Sequence, residues 1–393
     1  MNYIDKLIEK YCPNGVEYIP IKSCIFPVKN IKWSESDNEQ FQYIDLSSVN
    51  RDTHEIMDTQ SISSETAPSR AQQIIATNDI LFGTTRPTLK RFCLVPSKYN
   101  NSICSTGFCV LRADNSKVYS SWLYHNISSS TFFSYVEKMQ KGASYPSISD
   151  AEVKGFKIPL PPLEVQREIV RVLDKFTMLS AELSAELSAR QKQYSFYREQ
   201  LLTFGRNLPH WQILSEIADI STGSSNTNEG ISDGLYPFFV RSQEPLRKND
   251  YEFDETAIIT AGDGVGVGKV YHYIEGKYAL HQRAYRIHIN SPAVLPRFYF
   301  HYMRANFLPY IQKTMFQGSV ASIRRPMLNN FPVPVPPLDV QQRIVNVLDN
   351  FDAICSDLNI GLPAEISARQ KQYEYYRDLL LSFENIDNIT DRQ

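Results

Sequence analysis

The stretch GDGVGVGK, starting at Gly262, is the part of this 393-residue chain that most invites a reading as a reactive site. A phosphate-binding loop of the form G-x-x-x-x-G-K-[ST] would need glycine where Asp263 stands and a hydroxyl where Val270 stands, so the pattern fails at two of its fixed positions. Strand-like runs flank the stretch. It therefore reads as a glycine-rich hairpin whose backbone can approach a DNA strand closely. Other chemistries lack their residues. There is no G-x-S-x-G, no H-E-x-x-H and no C-x-x-C, and Cys12, Cys24, Cys93, Cys104, Cys109 and Cys355 have no histidine at metal spacing. Pro161-Pro162 and Pro336-Pro337 are each followed by leucine and lack the preceding Asn or Asp of an adenine methyltransferase tetrapeptide. The expectation is a chain with no catalytic residues, no metal and no cofactor of its own.

Binding chemistry is better represented. Gly276 to Leu338 holds no Asp or Glu, while Lys277, Arg283, Arg286, Arg297, Arg304, Lys313, Arg324 and Arg325 supply positive charge; Ile80 to Ala113 is also acid-free and carries Arg86, Lys90, Arg91, Lys98 and Arg112. Basic faces rich in aromatic and amide groups suit phosphate contacts and hydrogen bonds to base edges. The alternative is that these cations are ordinary surface groups with partners elsewhere in the fold. Candidate DNA contacts in the first half are Arg86, Lys90, Arg91, Lys141, Ser144 and Tyr145. In the second half they are Lys269, His281, Gln282, Arg283, Ser319, Arg324 and Arg325. Arginine suits guanine, glutamine suits adenine, and lysine more often holds phosphate.

The elements that must carry these residues come from a duplication. IPLPPLEVQREIVRVLDKF, from Ile158, and VPVPPLDVQQRIVNVLDNF, from Val333, agree at 12 of 19 positions; SARQKQYSFYREQLLTF, from Ser188, and SARQKQYEYYRDLLLSF, from Ser367, agree at 12 of 17. The offsets, 175 and 179, differ by a four-residue insertion. Tandem copies of one module follow. Each repeated block opens on a proline pair suited to a first helical turn and then carries a heptad seam. In the first copy the seam includes Ile169, Leu173, Phe176, Leu183, Leu187, Tyr194 and Tyr197. In the second it includes Ile344, Leu348, Phe351 and Leu358, and resumes at Tyr373 and Tyr376 after a stutter beside Gly361 and Pro363, where the helix should break or kink. Two helices with nearly the same seam can bury it against each other as an antiparallel coiled coil related by a pseudo-twofold axis. Some 35 helical residues would make a spacer of roughly 50 Å.

The expected fold is α/β: two similar recognition domains separated by two long helices. Residues 1–157 and 207–332 are the domains, 158–206 and 333–386 the helical spacers, and 387–393 a tail. Both domains are rich in short strand-like runs, and both close alike, with QKGASYPSIS from Gln140 and QGSVASIRRP from Gln317. The formal net charge of −2 gives no global attraction to nucleic acid, and the opening MNYIDKLIEKYCPNG carries acids unlike a signal peptide. With no apolar run of membrane-spanning length, the expected location is the cytoplasm.

The duplicated P-P-L-[ED]-V-Q block at half-chain spacing resembles the specificity subunit of type I restriction-modification enzymes, and the resemblance covers essentially the whole chain. It implies two target-recognition domains that read a bipartite double-stranded DNA sequence, one half each, across a fixed gap. It implies docking of two methyltransferase subunits, through which two restriction subunits join, with S-adenosylmethionine on the former and ATP on the latter. Docking candidates are Pro161, Pro162, Gln166, Arg167, Pro336, Pro337, Gln341 and Gln342. LSAELSAELSA, from Leu179, is a tetrapeptide repeat where the two rods differ by four residues, and its copy number is expected to set the gap. The competing readings are a two-headed protein-binding scaffold, an orphan DNA-binding member serving another defence system, and a self-sufficient enzyme.

Overall fold

A computed structural model describes residues 3–36, 39–205, 210–314 and 322–386. The chain divides into two compact units, residues up to Ala185 with those from Glu365 onward, and Glu186 to Ala364.

In the first unit, α1 (Tyr3–Tyr11) precedes β1 (Tyr18–Pro20), β2 (Ile25–Phe26), β3 (Phe41–Ile44), β4 (Gln60–Ile62), β5 (Ala71–Ile74), β6 (Ile80–Gly83), β7 (Phe92–Leu94), β8 (Ile103–Ser105) and β9 (Phe108–Ala113). Three helices follow, α2 (Ser120–Ile127), α3 (Ser130–Met139) and α4 (Asp150–Gly155), then β10 (Lys157–Pro159) and α5 (Leu163–Leu202). The strands form sheets ordered β2-β9-β6-β7 and β4-β3-β8-β5, with β1 paired to β10. Ile80 and Phe82 face one core while Leu81 faces another, as the period of two in a strand buried on both faces requires.

The second unit runs β11 (Trp211–Ile213), α6 (Leu214–Ile217), β12 (Ala218–Thr222), β13 (Tyr236–Phe239), β14 (Leu246–Lys248), β15 (Phe253–Ala261), β16 (Tyr271–Leu280) and β17 (Ala284–Ile289). After these come α7 (Pro296–Thr314), α8 (Arg325–Asn329), β18 (Pro332–Pro334) and α9 (Leu338–Ser356). Its main sheet is ordered β12-β17-β15-β16-β13-β14, and β11 pairs with β18 as β1 pairs with β10. The last helix, α10 (Leu362–Leu380), packs from Glu365 onward in the first unit.

Packing therefore groups the chain differently from its contiguous spans. The N-terminal half of α5 shares a core with α10, where Phe176 stacks on Tyr376 at 5.5 Å. Its C-terminal half shares a core with α9, where Tyr194 and Tyr197 stack on Phe351 at 5.7 and 5.8 Å. Of the seam residues, Ile169, Leu173, Tyr194, Ile344, Leu348 and Tyr373 are buried, and Phe176, Leu183, Leu187 and Phe351 are half-buried. Tyr197 and Tyr376 keep exposed edges, and Leu358 is 78% exposed. Leu358 is a correction to the seam. Helix α9 stops at Ser356, and the four-residue insertion is taken up by a turn in which the Gly361 N–H donates to the Asp357 carbonyl at 3.2 Å. Only glycine fits there, because a Cβ on Gly361 would lie 2.5 Å from the Ala353 carbonyl oxygen.

Each unit also ties its α/β part to a rod through a buried histidine. His125 on α2 is fully buried and hydrogen-bonds through Nε2 to Asp174 Oδ1 and through Nδ1 to the Tyr373 hydroxyl, both at 2.8 Å. His301 on α7 is equally buried and bonds Asp349 Oδ1 at 2.7 Å. Burial pushes both imidazoles below their usual range, against the pull of the neighbouring carboxylates. His54 is pushed down to about 4, also by burial. A group whose folded pKa is depressed stays neutral while the unfolded chain takes up a proton, so stability is lost as pH falls below the ordinary value of 6.5. The unfolding midpoint should drop between pH 7 and pH 5. His125→Gln, which keeps both hydrogen-bonding ends, should flatten that drop; an unchanged slope would contradict the assignment.

Candidate nucleic-acid interface

In the first unit three loops fuse into one platform. The chain leaves β6 at Gly83, and the Thr84 N–H and hydroxyl both donate to the Gly107 carbonyl in the β8–β9 turn, at 2.8 and 2.9 Å. The Ile148 N–H donates to the Thr84 carbonyl at 3.0 Å, the Arg86 N–H to the Pro146 carbonyl at 2.7 Å, and Lys141 and Ser147 exchange backbone bonds at 2.8 and 2.9 Å. Arg86, Lys90, Lys141, Ser144 and Tyr145 all stand exposed on this platform. Arg86 and Lys90 flank a single 3-10 turn, Pro87–Leu89, and both adopt left-handed backbone, with φ of 49° and 55°. That conformation costs a β-carbon residue about 1–2 kcal/mol. Buried Pro87 anchors the turn, Lys90 Nζ lies 5.0 Å from the Phe133 ring centre, and the Arg86 guanidinium lies 4.3 Å above the exposed Tyr145 ring. Lys141 pairs at 3.0 Å with Glu152, whose carboxyl is held down at about 2 by the Ser149 backbone N–H and then by Lys141.

The second unit builds the same junction from different residues. The Gly262 N–H donates to the Arg283 carbonyl at 2.9 Å, and the Ile323 N–H to the Gly262 carbonyl at 2.8 Å. Asp263 bridges Ser322 as Thr85 bridges Ser147. A Cβ on Gly262 would come within 2.6 Å of the Arg283 carbonyl oxygen, so this approach requires glycine. Exposed Gln282, Arg283 and Arg324 gather here, whereas exposed Lys269 lines a pocket with Arg297, Arg304, Asp349 and Asp352. Asp263 accepts from Arg241 at 2.8 Å and from Arg283 at 3.1 Å; burial works against its ionised form, but the two guanidiniums outweigh it and hold the carboxyl below its usual range. The cluster keeps more positive than negative charge, and Asp263 orients two arginines at once.

Several candidates already bond partners within the protein. Arg91 donates to the Leu46 and Val49 carbonyls at 2.7 and 3.3 Å and so braces a loop beneath the platform. His281 is buried, its Nδ1 accepting the Arg283 N–H at 2.9 Å and so shaping the β16–β17 turn. Arg325 sends its guanidinium to the Ile220 carbonyl, and the Gln282 amide reaches the Asn226 side chain. Ser319 lies outside the described residues. The acid-free tracts also conceal ion pairs: Arg112 pairs with Asp79, Arg286 with Glu255 and Asp219, Arg297 with Asp349, and Arg304 with Asp352. His301, Asp349 and Asp352 have metal-ligand spacing, but both carboxylates already carry an arginine and the set is the second unit's histidine tie.

Two exposed arginines escaped the sequence reading. Arg70 abuts the β8–β9 turn, its carbonyl accepting the Thr106 N–H at 2.9 Å, and Arg241 joins Asp263. Both lie outside the acid-free tracts, so only the fold brings them in.

The docking set needs correction as well. Gln166 and Gln341 are fully buried and occupy equivalent places. Gln166 accepts the Tyr119 N–H at 3.1 Å and donates to the Lys117 and Pro161 carbonyls at 3.0 and 2.8 Å. Gln341 accepts the Leu295 N–H at 2.8 Å and donates to the Ala293 and Pro336 carbonyls at 3.0 and 2.7 Å. Pro161 and Pro336 are buried with them. Pro162, Arg167, Pro337 and Gln342 are exposed.

Two tandem matches decide the family. Residues 17–190 and 211–368 each match the model described as the type I restriction modification DNA specificity domain. The chain belongs to that family. It is 35% identical over 274 residues to the Escherichia coli type I restriction enzyme EcoR124I/EcoR124II specificity subunit, covering 62% of this chain and 67% of the relative. It is 28% identical over 294 residues to a putative type I restriction enzyme specificity subunit of Haemophilus influenzae, covering 68% and 73%. The fold is shared with a chain from a structural study of type I restriction-modification assembly and conformational transition (TM-score 0.62, 24% identity, 93% of this chain and 97% of that one). It is also shared with the type I S subunit of M. genitalium (TM-score 0.59, 14% identity, 93% and 96%). This protein is thus a type I specificity subunit built from two copies of its family's domain, in which the two glutamines lock each domain to its rod. Gln166→Leu would leave one buried N–H and two carbonyls without their partner and should cost about 1–3 kcal/mol. An unshifted denaturation midpoint would refute the lock.

Proposed function

We propose that this specificity subunit reads a bipartite duplex target, one half-site per unit, and docks methyltransferase subunits through which restriction subunits join. The observation that carries the reading is the junction itself: one backbone scaffold occurs twice, and each copy displays a different set of exposed cations and hydrogen-bonding groups. Equal scaffolds with unequal faces are what two different half-sites would require. The chain then supplies recognition and no chemistry. S-adenosylmethionine would belong to two methyltransferase subunits and ATP to two restriction subunits, all acting in the cytoplasm. With Gln166 and Gln341 buried, the docking surface we propose is the exposed part of each rod's start, at Pro162, Arg167, Pro337 and Gln342. Arg167 and Gln342 present polar side chains in the first turns of α5 and α9, and Pro162 and Pro337 stand immediately before those helices.

Co-expression with methyltransferase subunits from the same genome, followed by single-molecule mapping of modified adenines, tests the reading. A split motif with a constant gap is expected; a stable complex that leaves DNA unmodified would favour the protein scaffold. The repeat within α5 allows a second test. Four helical residues rise about 6 Å, close to one or two base-pair steps at roughly 3.4 Å each. Deleting Ser184 to Leu187 should shorten the gap, and a gap of unchanged length would sink the spacer role.

A further inference from the structure

We infer that Arg86 reads a guanine in the half-site of the first unit, an inference that rests on the DNA-reading function proposed above. Four observations converge on this residue. Its guanidinium stacks over the Tyr145 ring at 4.3 Å and, among the described residues, has no hydrogen-bond or ion-pair partner. This sets it apart from Arg91, Arg112, Arg283 and Arg325, whose guanidiniums all bond protein acceptors. Its backbone is gripped on both sides, the N–H donating to Pro146 at 2.7 Å and the carbonyl accepting from Leu89 at 2.9 Å. Finally, it holds a left-handed φ of 49° that a residue with a β-carbon rarely adopts without surrounding constraint.

Together these features hold a planar cation over an aromatic ring. A guanidinium held there keeps its N–H edges free, and those edges match the paired O6 and N7 acceptors of guanine in the major groove. Stacking limits the freedom that a long side chain would otherwise lose on binding. A phosphate-holding role needs none of this, since a flexible lysine serves it. Lys90 and Lys141 stand on the same platform with ammonium groups suited to the backbone. The platform thus divides the work: Arg86 reads, and the lysines hold.

Methylation mapping of the co-expressed complex tests the assignment with Arg86→Ala, Arg86→Lys and Tyr145→Ala. Arg86→Ala should relax one G·C position of one half-site, with discrimination falling roughly ten-fold or more, while the other half-site and the gap stay unchanged. Arg86→Lys keeps the charge but loses the two-pronged edge, so it should relax the same position. Tyr145→Ala should weaken discrimination there to a smaller degree. An unaltered motif in both arginine variants would overturn the inference and leave the bipartite reading intact. So would a uniform loss across all sites that Arg86→Lys rescues, because that is the behaviour of a phosphate contact. A wild-type complex that yields no split motif would overturn the inference together with the function it rests on.

Discussion

The first unit closes through a hydrogen bond between residues 248 positions apart, the His125 imidazole and the Tyr373 hydroxyl. The bond matters because of its setting. His125 is fully buried, and its ring nitrogens would be costly without partners; Asp174 on α5 satisfies one and Tyr373 on α10 the other. A single side chain from the α/β part thereby selects both helices of the rod. The unit cannot bury its seam using α5 alone, so its core includes Tyr373, Leu380 and Leu381 from the far end of the chain. The second unit answers with His301 and Asp349, and with α9 against the other half of α5.

This exchange gives the duplication a physical purpose. Two helices with the same seam are complementary to each other when they run in opposite senses, so each copy completes the other's unit. The buried glutamines serve the same end. Gln166 and Gln341 each offer one acceptor and two donor hydrogens at a place where a loop N–H and two carbonyls would otherwise be buried unpaired. Rod and sheet are held by satisfied polar groups within an apolar core. One partner of each tie, Gln166, Asp174, Gln341, Asp349 or Tyr373, lies in a repeated block, while the platforms that face outward are free to differ.

The platforms divide their polar groups between holding and displaying. Carbonyls of Gly107 and Arg283, of Thr84 and Gly262, accept equivalent backbone N–H bonds in the two units, to which the Thr84 hydroxyl adds one in the first. A scaffold made of backbone bonds does not depend on side-chain identity, which is why Thr85 and Asp263, or Gly107 and Arg283, hold equivalent places in the two units. Glycine enters where the approach is too close for a Cβ, at Gly262. Side chains are left free to differ. In the first unit the platform displays an arginine over a tyrosine ring, in the second arginines steadied by Asp263.

The sequence by itself determined the duplication, the heptad seam, the helix break beside Gly361 and the fold class, because each rests on local periodicity or on identity between copies. It also marked the closing segment of each domain, through the match of QKGASYPSIS from Gln140 with QGSVASIRRP from Gln317, of which Ser322 to Pro326 lie among the described residues. Only the tertiary structure decided which cations are displayed. Arg86 and Arg91 are separated by four residues and lie in the same acid-free tract, yet one stacks on an exposed ring and the other braces buried carbonyls. Arg286, Arg297 and Arg304 looked unpaired because their acids lie far away in sequence, and Gln166 and Gln341 looked like surface because a polar residue on a helix usually is. Charge and hydrogen-bonding capacity are written in single residues, but whether they are spent inward or outward depends on partners that long-range packing supplies.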